Sequence, residues 1–192
     1  MLAILFGRAR RMPATVGRDL VRELLRLDAL ARAALAQEDA IKRIASKYAG
    51  ADHFFFIGRG YMYPVALEGA LKLKEISYVH AEGYHAAELK HGPIALLDSK
   101  VPVMAAVPDI HGKSKTISNM QECRARHSPV IAIATEGDAE VENYCDDVIR
   151  LPRCSDFITP VPAVIVEQLF AYHVARLRGC PIDQPRNLAK SV

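Results

Sequence analysis

The chain has 192 residues, 51% of them apolar, and a formal net charge of +3. This much apolar sequence argues against global disorder, and the length suits one domain of ordinary size with some additional helix. The small net charge argues against nucleic-acid binding. Six arginines near the start alternate with apolar residues at helical spacing and indicate a solvated helix face. They are Arg8, Arg10, Arg11, Arg18, Arg22 and Arg26.

The cysteines form no C-x-x-C pair and have no metal-ligand spacing with a histidine. This pattern indicates structural thiols in a reduced, cytoplasmic protein. The four are Cys123, Cys145, Cys154 and Cys180. No run of about 18 apolar residues is present, so we expect no transmembrane helix. The opening MLAILFGRARR has too short an apolar part, with its charges on the wrong side, for a signal peptide.

Residues 14–48 carry leucines at helical spacing followed by alanine-rich sequence. This predicts helix, with a break near Asp28 and a stop at Gly50. Short apolar runs then alternate with helical segments, and the tail CPIDQPRNLAKSV is loop-like. The predicted strands are 53–58, 77–83, 101–107, 129–135 and 147–152. The predicted helices are 61–76, 86–90, 114–126, 138–144 and 160–178.

Nearly continuous apolar strands that alternate with helices indicate a parallel sheet covered on both faces. We therefore expect an α/β fold with three layers, a doubly wound, flavodoxin-like parallel sheet preceded by N-terminal helices. In such sheets ligands bind at the carboxyl ends of the strands.

The predicted helix 61–76 contains the stretch EGALKLKE, which sets charge into apolar sequence. At about 100° per residue, Glu68, Lys72 and Glu75 share a sector about 60° wide, while Lys74 lies away from them. Two interpretations stay open. The stripe is either a surface pair of Glu68 with Lys72, contributing about 0.3–0.5 kcal/mol, or it lies in a cleft. In a cleft, a carboxylate paired with a lysine has the tuned proton affinity that proton transfer requires.

The next stretch, HAEGYHAAELKHGP (80–93), is rich in histidine and acidic residues. His91 precedes Gly92 and Pro93, where a helix cannot continue, so it lies at a loop edge. His80 and His85 are more readily packed or solvated than catalytic. His80 and Glu82 share a face only if the segment is a strand. Without a clear ligand spacing, we expect no metal site and no cofactor.

Three segments together carry a family resemblance. GRGYMYPVALEGALKLKEISYVHAEGYHAAELKHGPIALLD (58–98), QLFAYHVARLRG (168–179) and DQPRNLAKSV (183–192) resemble the second sugar-isomerase (SIS) domain of the isomerising glutamine:fructose-6-phosphate amidotransferases. The opening LAILFGRARR resembles the segment that joins the two SIS domains of that family. The resemblance implies that 1–49 is a helical segment continuing from a missing first SIS domain. It also implies that 50–192 is an SIS domain with a C-terminal active-site tail.

These enzymes convert fructose 6-phosphate and glutamine into glucosamine 6-phosphate and glutamate. The resemblance implies that Glu75 moves the proton between C1 and C2 of the sugar. It implies that His91 opens the sugar ring in the site of the neighbouring subunit, which requires a homodimer. Lys190 is implied to contact the open-chain sugar, with Schiff-base chemistry at C2. Lys72 and Glu68 are implied to line the substrate site.

Two features of that family have no counterpart here. Its glutaminase begins with a cysteine nucleophile, whereas Met1 is followed by Leu2. Its phosphate-binding Ser/Thr loop belongs to the first SIS domain. The nearest segment, HGKSKTIS (111–118), could cradle phosphate at a helix N-terminus, but helix capping by Ser114 or Thr116 is favoured.

We therefore expect the isomerase half of the synthase, carrying most acid–base groups and inactive alone. The alternatives are a non-catalytic sugar-phosphate-binding regulatory module and a stand-alone phosphosugar isomerase that works as a homodimer.

Overall fold

The computed structural model describes residues 1–188. Its first part is helical, and the helices are α1 (Leu2–Ala9), α2 (Ala14–Leu25), α3 (Leu27–Leu35) and α4 (Glu38–Tyr48). The predicted break near Asp28 is present, and the chain turns at Arg26, two residues earlier. Asp28 instead lies in the first turn of α3, where a carboxylate interacts favourably with the positive end of the helix. A second break, after Leu35, was not predicted.

Five parallel strands in the described chain form one sheet in the order β2-β1-β3-β4-β5. The strands are β1 (His53–Gly58), β2 (His80–His85), β3 (Val103–Ala106), β4 (Val130–Thr135) and β5 (Asp147–Leu151). The helices between and after them are α5 (Met62–Ser77), α6 (Lys113–Arg124) and α7 (Pro160–Leu177). Short 3-10 helices span Ala86–His91, Pro93–Leu96 and Glu140–Tyr144. This strand order and the helices on both faces confirm the predicted doubly wound, flavodoxin-like α/β fold.

Alternating strand residues supply the two cores. In β1, Phe54 and Phe56 join the core under α3, α4, α5 and α7, while Phe55 and Ile57 join the core under α6. Because successive side chains of a strand point to opposite faces, a strand that is apolar at every position requires cover on both. The continuous apolar runs in the sequence are explained in this way.

Two local predictions are wrong. The second strand was predicted at 77–83, but α5 continues through Ser77, whose hydroxyl donates to the Leu73 carbonyl oxygen at 2.6 Å. Tyr78, in the left-handed conformation at φ 60°, then ends the helix. Capping of α6 by Ser114 or Thr116 is also contradicted, because Gly112 is the N-cap residue and no side chain caps the helix. Within residues 1–188, no helix is both long and apolar enough to cross a membrane.

Candidate active site on the first helix of the sheet

Two glycines hold α5 close to the edge of the sheet. A Cβ atom at Gly58 would lie 2.1 Å from the Met62 carbonyl oxygen, so only glycine permits the tight turn from β1 into α5. A Cβ atom at Gly83, in β2, would lie 2.7 Å from the Ala66 carbonyl oxygen. Backbone atoms cannot give way as a flexible side chain can, so these glycines fix α5 against β1 and β2.

The charged stripe on α5 forms as the helical geometry predicts. The Lys72 Nζ atom lies 2.6 Å from Glu75 Oε2 and 3.9 Å from Glu68 Oε1. The closest pair is therefore i,i+3 with Glu75, not the i,i+4 pair with Glu68. Glu75 accepts a hydrogen bond from the Lys72 ammonium, and this bond raises the pKa of Lys72. Lys74 points elsewhere and pairs with Glu82 at 3.3 Å.

The stripe is neither buried nor fully solvated. The side chains of Glu68, Lys72 and Glu75 are between 28% and 35% exposed. Beside them, Leu67 and Leu71 are 43% and 42% exposed. Charged and apolar side chains are therefore neighbours on one half-exposed face of α5.

His91 lies at a loop edge, as predicted. It is the last residue of the 3-10 helix Ala86–His91, and Gly92 follows at φ 142°. The same short helix is tied to α6 by the ion pair of Lys90 with Glu122 at 2.7 Å. The side chain of His91 is exposed. No hydrogen bond or ion pair within residues 1–188 joins it to the stripe. Lys190 lies outside the described residues.

A buried carboxyl group behind the stripe was not predicted. Glu167, on α7, is 1% exposed, and its Oε2 atom has no hydrogen-bond partner in the described chain. That atom lies against Gly69, where a Cβ atom would be 2.5 Å away. Burial, reinforced by the negative charge of Glu68, raises the pKa of Glu167 well above its ordinary value. The sequence carries one sign of this residue, because Glu167 is the one acidic residue of the otherwise largely apolar helix α7.

The profile of the SIS domain matches residues 47–178, which is most of the chain. The chain belongs to the SIS-domain family.

Two curated relatives of this SIS domain are named glutamine–fructose-6-phosphate aminotransferase (isomerizing). The one from Chlorobaculum tepidum is 50% identical over 192 residues, covering 100% of this chain and 31% of that protein. The one from Thermus thermophilus is 48% identical over 193 residues, covering 100% of this chain and 32% of that protein. The chain thus spans about a third of the length of these relatives.

A solved structure agrees with the sequence match. The C-terminal domain of glucosamine-fructose-6-phosphate aminotransferase from Francisella tularensis superposes with a TM-score of 0.89 at 37% identity. It covers 95% of this chain, which in turn covers 52% of that structure. This chain is therefore similar, over its whole length, to the C-terminal part of these enzymes.

The stripe gives this SIS domain the groups that proton transfer needs. A carboxylate can accept a proton from a carbon next to a carbonyl group, and a nearby ammonium stabilises the enolate that results. Glu75 and Lys72 supply these two groups within hydrogen-bond distance of each other. Glu68 adds a second carboxylate on the same face of α5, 3.9 Å from the ammonium.

Proposed function

We propose that this chain is the C-terminal, isomerase part of a glutamine:fructose-6-phosphate aminotransferase, acting in amino-sugar biosynthesis. The observation that carries the proposal is the match of the whole chain to the C-terminal part of such enzymes at 50% identity. The Glu68–Lys72–Glu75 stripe supports it, because it presents acid–base groups on one half-exposed helix face. The sugar phosphates bound are fructose 6-phosphate and glucosamine 6-phosphate.

In the proposed reaction, Glu75 takes the proton from one of the carbons C1 and C2 and returns it to the other. Lys72 stabilises the enolate oxygen and orients Glu75, since its ammonium donates to Glu75 Oε2 at 2.6 Å. Glu68 lines the substrate site. His91 opens the sugar ring, and Lys190 contacts the open-chain sugar at C2.

We further propose a homodimer in which His91 serves the site of the neighbouring subunit. The exposed position of His91, at the end of its short helix, supports this assignment. Residues 1–49 are proposed to connect to a first SIS domain, and 50–192 to form the second. A cytoplasmic location is proposed because the four cysteines are free. Light scattering tests the dimer, and a strictly monomeric mass would contradict it.

A chimera tests the activity. This chain would replace the matching C-terminal third of the Thermus thermophilus relative, and glucosamine 6-phosphate would be measured from fructose 6-phosphate and glutamine. We expect turnover by the chimera and none by the isolated chain. Glu75→Gln should abolish turnover, whereas Lys74→Gln, on the same helix but outside the stripe, should retain it.

Two results with the chimera would contradict the proposal, and a third with the isolated chain would contradict its expected inactivity. The first is a folded chimera without activity, and the second is a chimera in which Glu75→Gln and Lys74→Gln have the same effect on turnover. Sugar-phosphate binding by the inactive chimera would then favour a regulatory module. Turnover by the isolated chain near that of the full-length relative would overturn its expected inactivity and favour a stand-alone enzyme.

A further inference from the structure

A histidine pair lies at the amino-terminal ends of β1 and β2, where the proposed reaction uses no residue. His53 and His80 are register partners across these parallel strands. Their Nδ1 atoms are 3.1 Å apart. The rings meet edge to face, with centroids 5.3 Å apart and planes at 84°. Both residues are exposed, so an ion can reach the pair from solvent.

Two imidazole nitrogens 3.1 Å apart repel each other through their lone pairs unless a proton or a cation lies between them. Either one carries a proton that the other accepts, or both direct lone pairs at a shared cation. Glu82 favours a lone pair on His80 Nδ1. It lies two residues along the same strand, and its Oε1 atom is 3.7 Å from His80 Nε2. At this distance the contact is a charge interaction rather than a hydrogen bond, and the same oxygen accepts from Lys74 Nζ at 3.3 Å. A carboxylate on that side still favours the tautomer that carries its proton on Nε2, the form in which Nδ1 is free to ligate a metal.

The distance between the two nitrogens suits a metal ion. With zinc–nitrogen bonds of about 2.05 Å, two nitrogens 3.1 Å apart subtend about 98° at a shared ion. This angle lies close to the tetrahedral value of about 109° that four-coordinate zinc adopts. The pair also opens on a cavity of about 250 Å³ that is lined by Asp98 and by the apolar residues Phe55, Leu96 and Val101, and this volume leaves room for water ligands.

We propose that His53 and His80 bind a divalent transition-metal ion, Zn²⁺ or one of its neighbours, through their Nδ1 atoms, with Glu82 orienting His80. In residues 1–188 no three side chains of histidine, cysteine, aspartate or glutamate converge as a metal site. The protein therefore supplies two ligands and water completes the shell, so the ion is exchangeable. Spacing along the chain gave no sign of this site, because the two ligands are 27 residues apart and meet only through strand pairing.

Calorimetry with Zn²⁺ and the metal-free chain tests the site at pH 7.5 in a non-chelating buffer. We expect one equivalent to bind, and either His53→Ala or His80→Ala to abolish the binding. Glu82→Gln should weaken it by about tenfold, the usual effect of removing a carboxylate that orients a ligand. His111→Ala, at another exposed histidine, should leave it unchanged. The bound ion should also raise the unfolding temperature of the wild type, but not of the two histidine variants.

The free cysteines are the main competing ligands, and Co²⁺ distinguishes them. Thiolate ligation gives strong charge-transfer absorption in the near ultraviolet, whereas nitrogen and oxygen ligation does not. The histidine variants replace exposed side chains, and far-UV circular dichroism would check that they fold. The proposal is overturned by absence of a one-equivalent transition, by thiolate absorption, or by histidine variants that bind as the wild type does. Loss of activity in the chimera would leave this test untouched.

Discussion

Glu167 should make the stability of this protein fall as the pH rises from acid to neutral. Its side chain is buried against Gly69, and burial raises its pKa well above the ordinary value of 4.5. In the unfolded chain the same carboxyl ionises near that ordinary value. Between the two pKa values the unfolded state has lost a proton that the folded state retains, so ionisation favours unfolding.

The size of this effect follows from proton linkage. While the pH lies between the two pKa values, each unit lowers the free energy of unfolding by about 1.4 kcal/mol. For a chain of this size, that is about 3–5 °C in unfolding temperature per pH unit.

Glu167→Gln tests this reasoning, because the amide keeps the shape of the side chain and cannot ionise. Urea unfolding at pH 5, 6 and 7 should show that the free energy of unfolding of the variant rises relative to that of the wild type, by up to about 1.4 kcal/mol per pH unit. Glu136→Gln, at an exposed glutamate, is the matched control and should follow the wild type. Parallel pH dependences for wild type and Glu167→Gln would show that Glu167 is ionised in the folded protein and refute the argument.

Three further changes probe the same structure. Gly69→Ala should cost about 1–3 kcal/mol in urea unfolding by overpacking against Glu167 and the Phe56 ring. In a Glu167→Ala background only the Phe56 clash remains, so the cost should be smaller, and equal costs in both backgrounds would exclude the contact with Glu167. Tyr48→Phe removes a 2.7 Å hydrogen bond to Asp147 and should lower the free energy of unfolding by about 1.5 kcal/mol, as measured by thermal unfolding. An unchanged unfolding midpoint would contradict this. Burial lowers the pKa of His173, so its unfolded form takes up a proton first as the pH falls. His173→Asn should therefore lose less stability than the wild type between pH 7.5 and pH 5, and an equal loss would contradict this.

The fold and the stripe were predictable because both depend on local periodicity. Apolar runs such as HFFFIG require cover on two faces, and helical geometry alone brings Glu68, Lys72 and Glu75 together. The start of β2 was predicted three residues too early because the Ser77 hydroxyl bonds within α5, which a strand-like sequence does not reveal.

Other features depend on contacts between distant segments. The Gly69–Glu167 contact joins two helices far apart in the sequence. The His53–His80 pair exists only through the register of β1 with β2. The choice of Glu75 over Glu68 as the nearer partner of Lys72 is a matter of side-chain conformation. None of these follows from spacing along the chain.

The exposure of the stripe bears on how the proposed reaction would work. A carboxylate abstracts a carbon-bound proton more effectively, and an ammonium stabilises an enolate more strongly, where water is excluded. In this chain Glu75 and Lys72 remain about 30% exposed, with Leu67 and Leu71 also open to solvent beside them. A surface that covered these leucines would exclude water from the charges at the same time. We propose that the substrate and the neighbouring subunit together cover these leucines. The association that supplies His91 then also excludes water from the site.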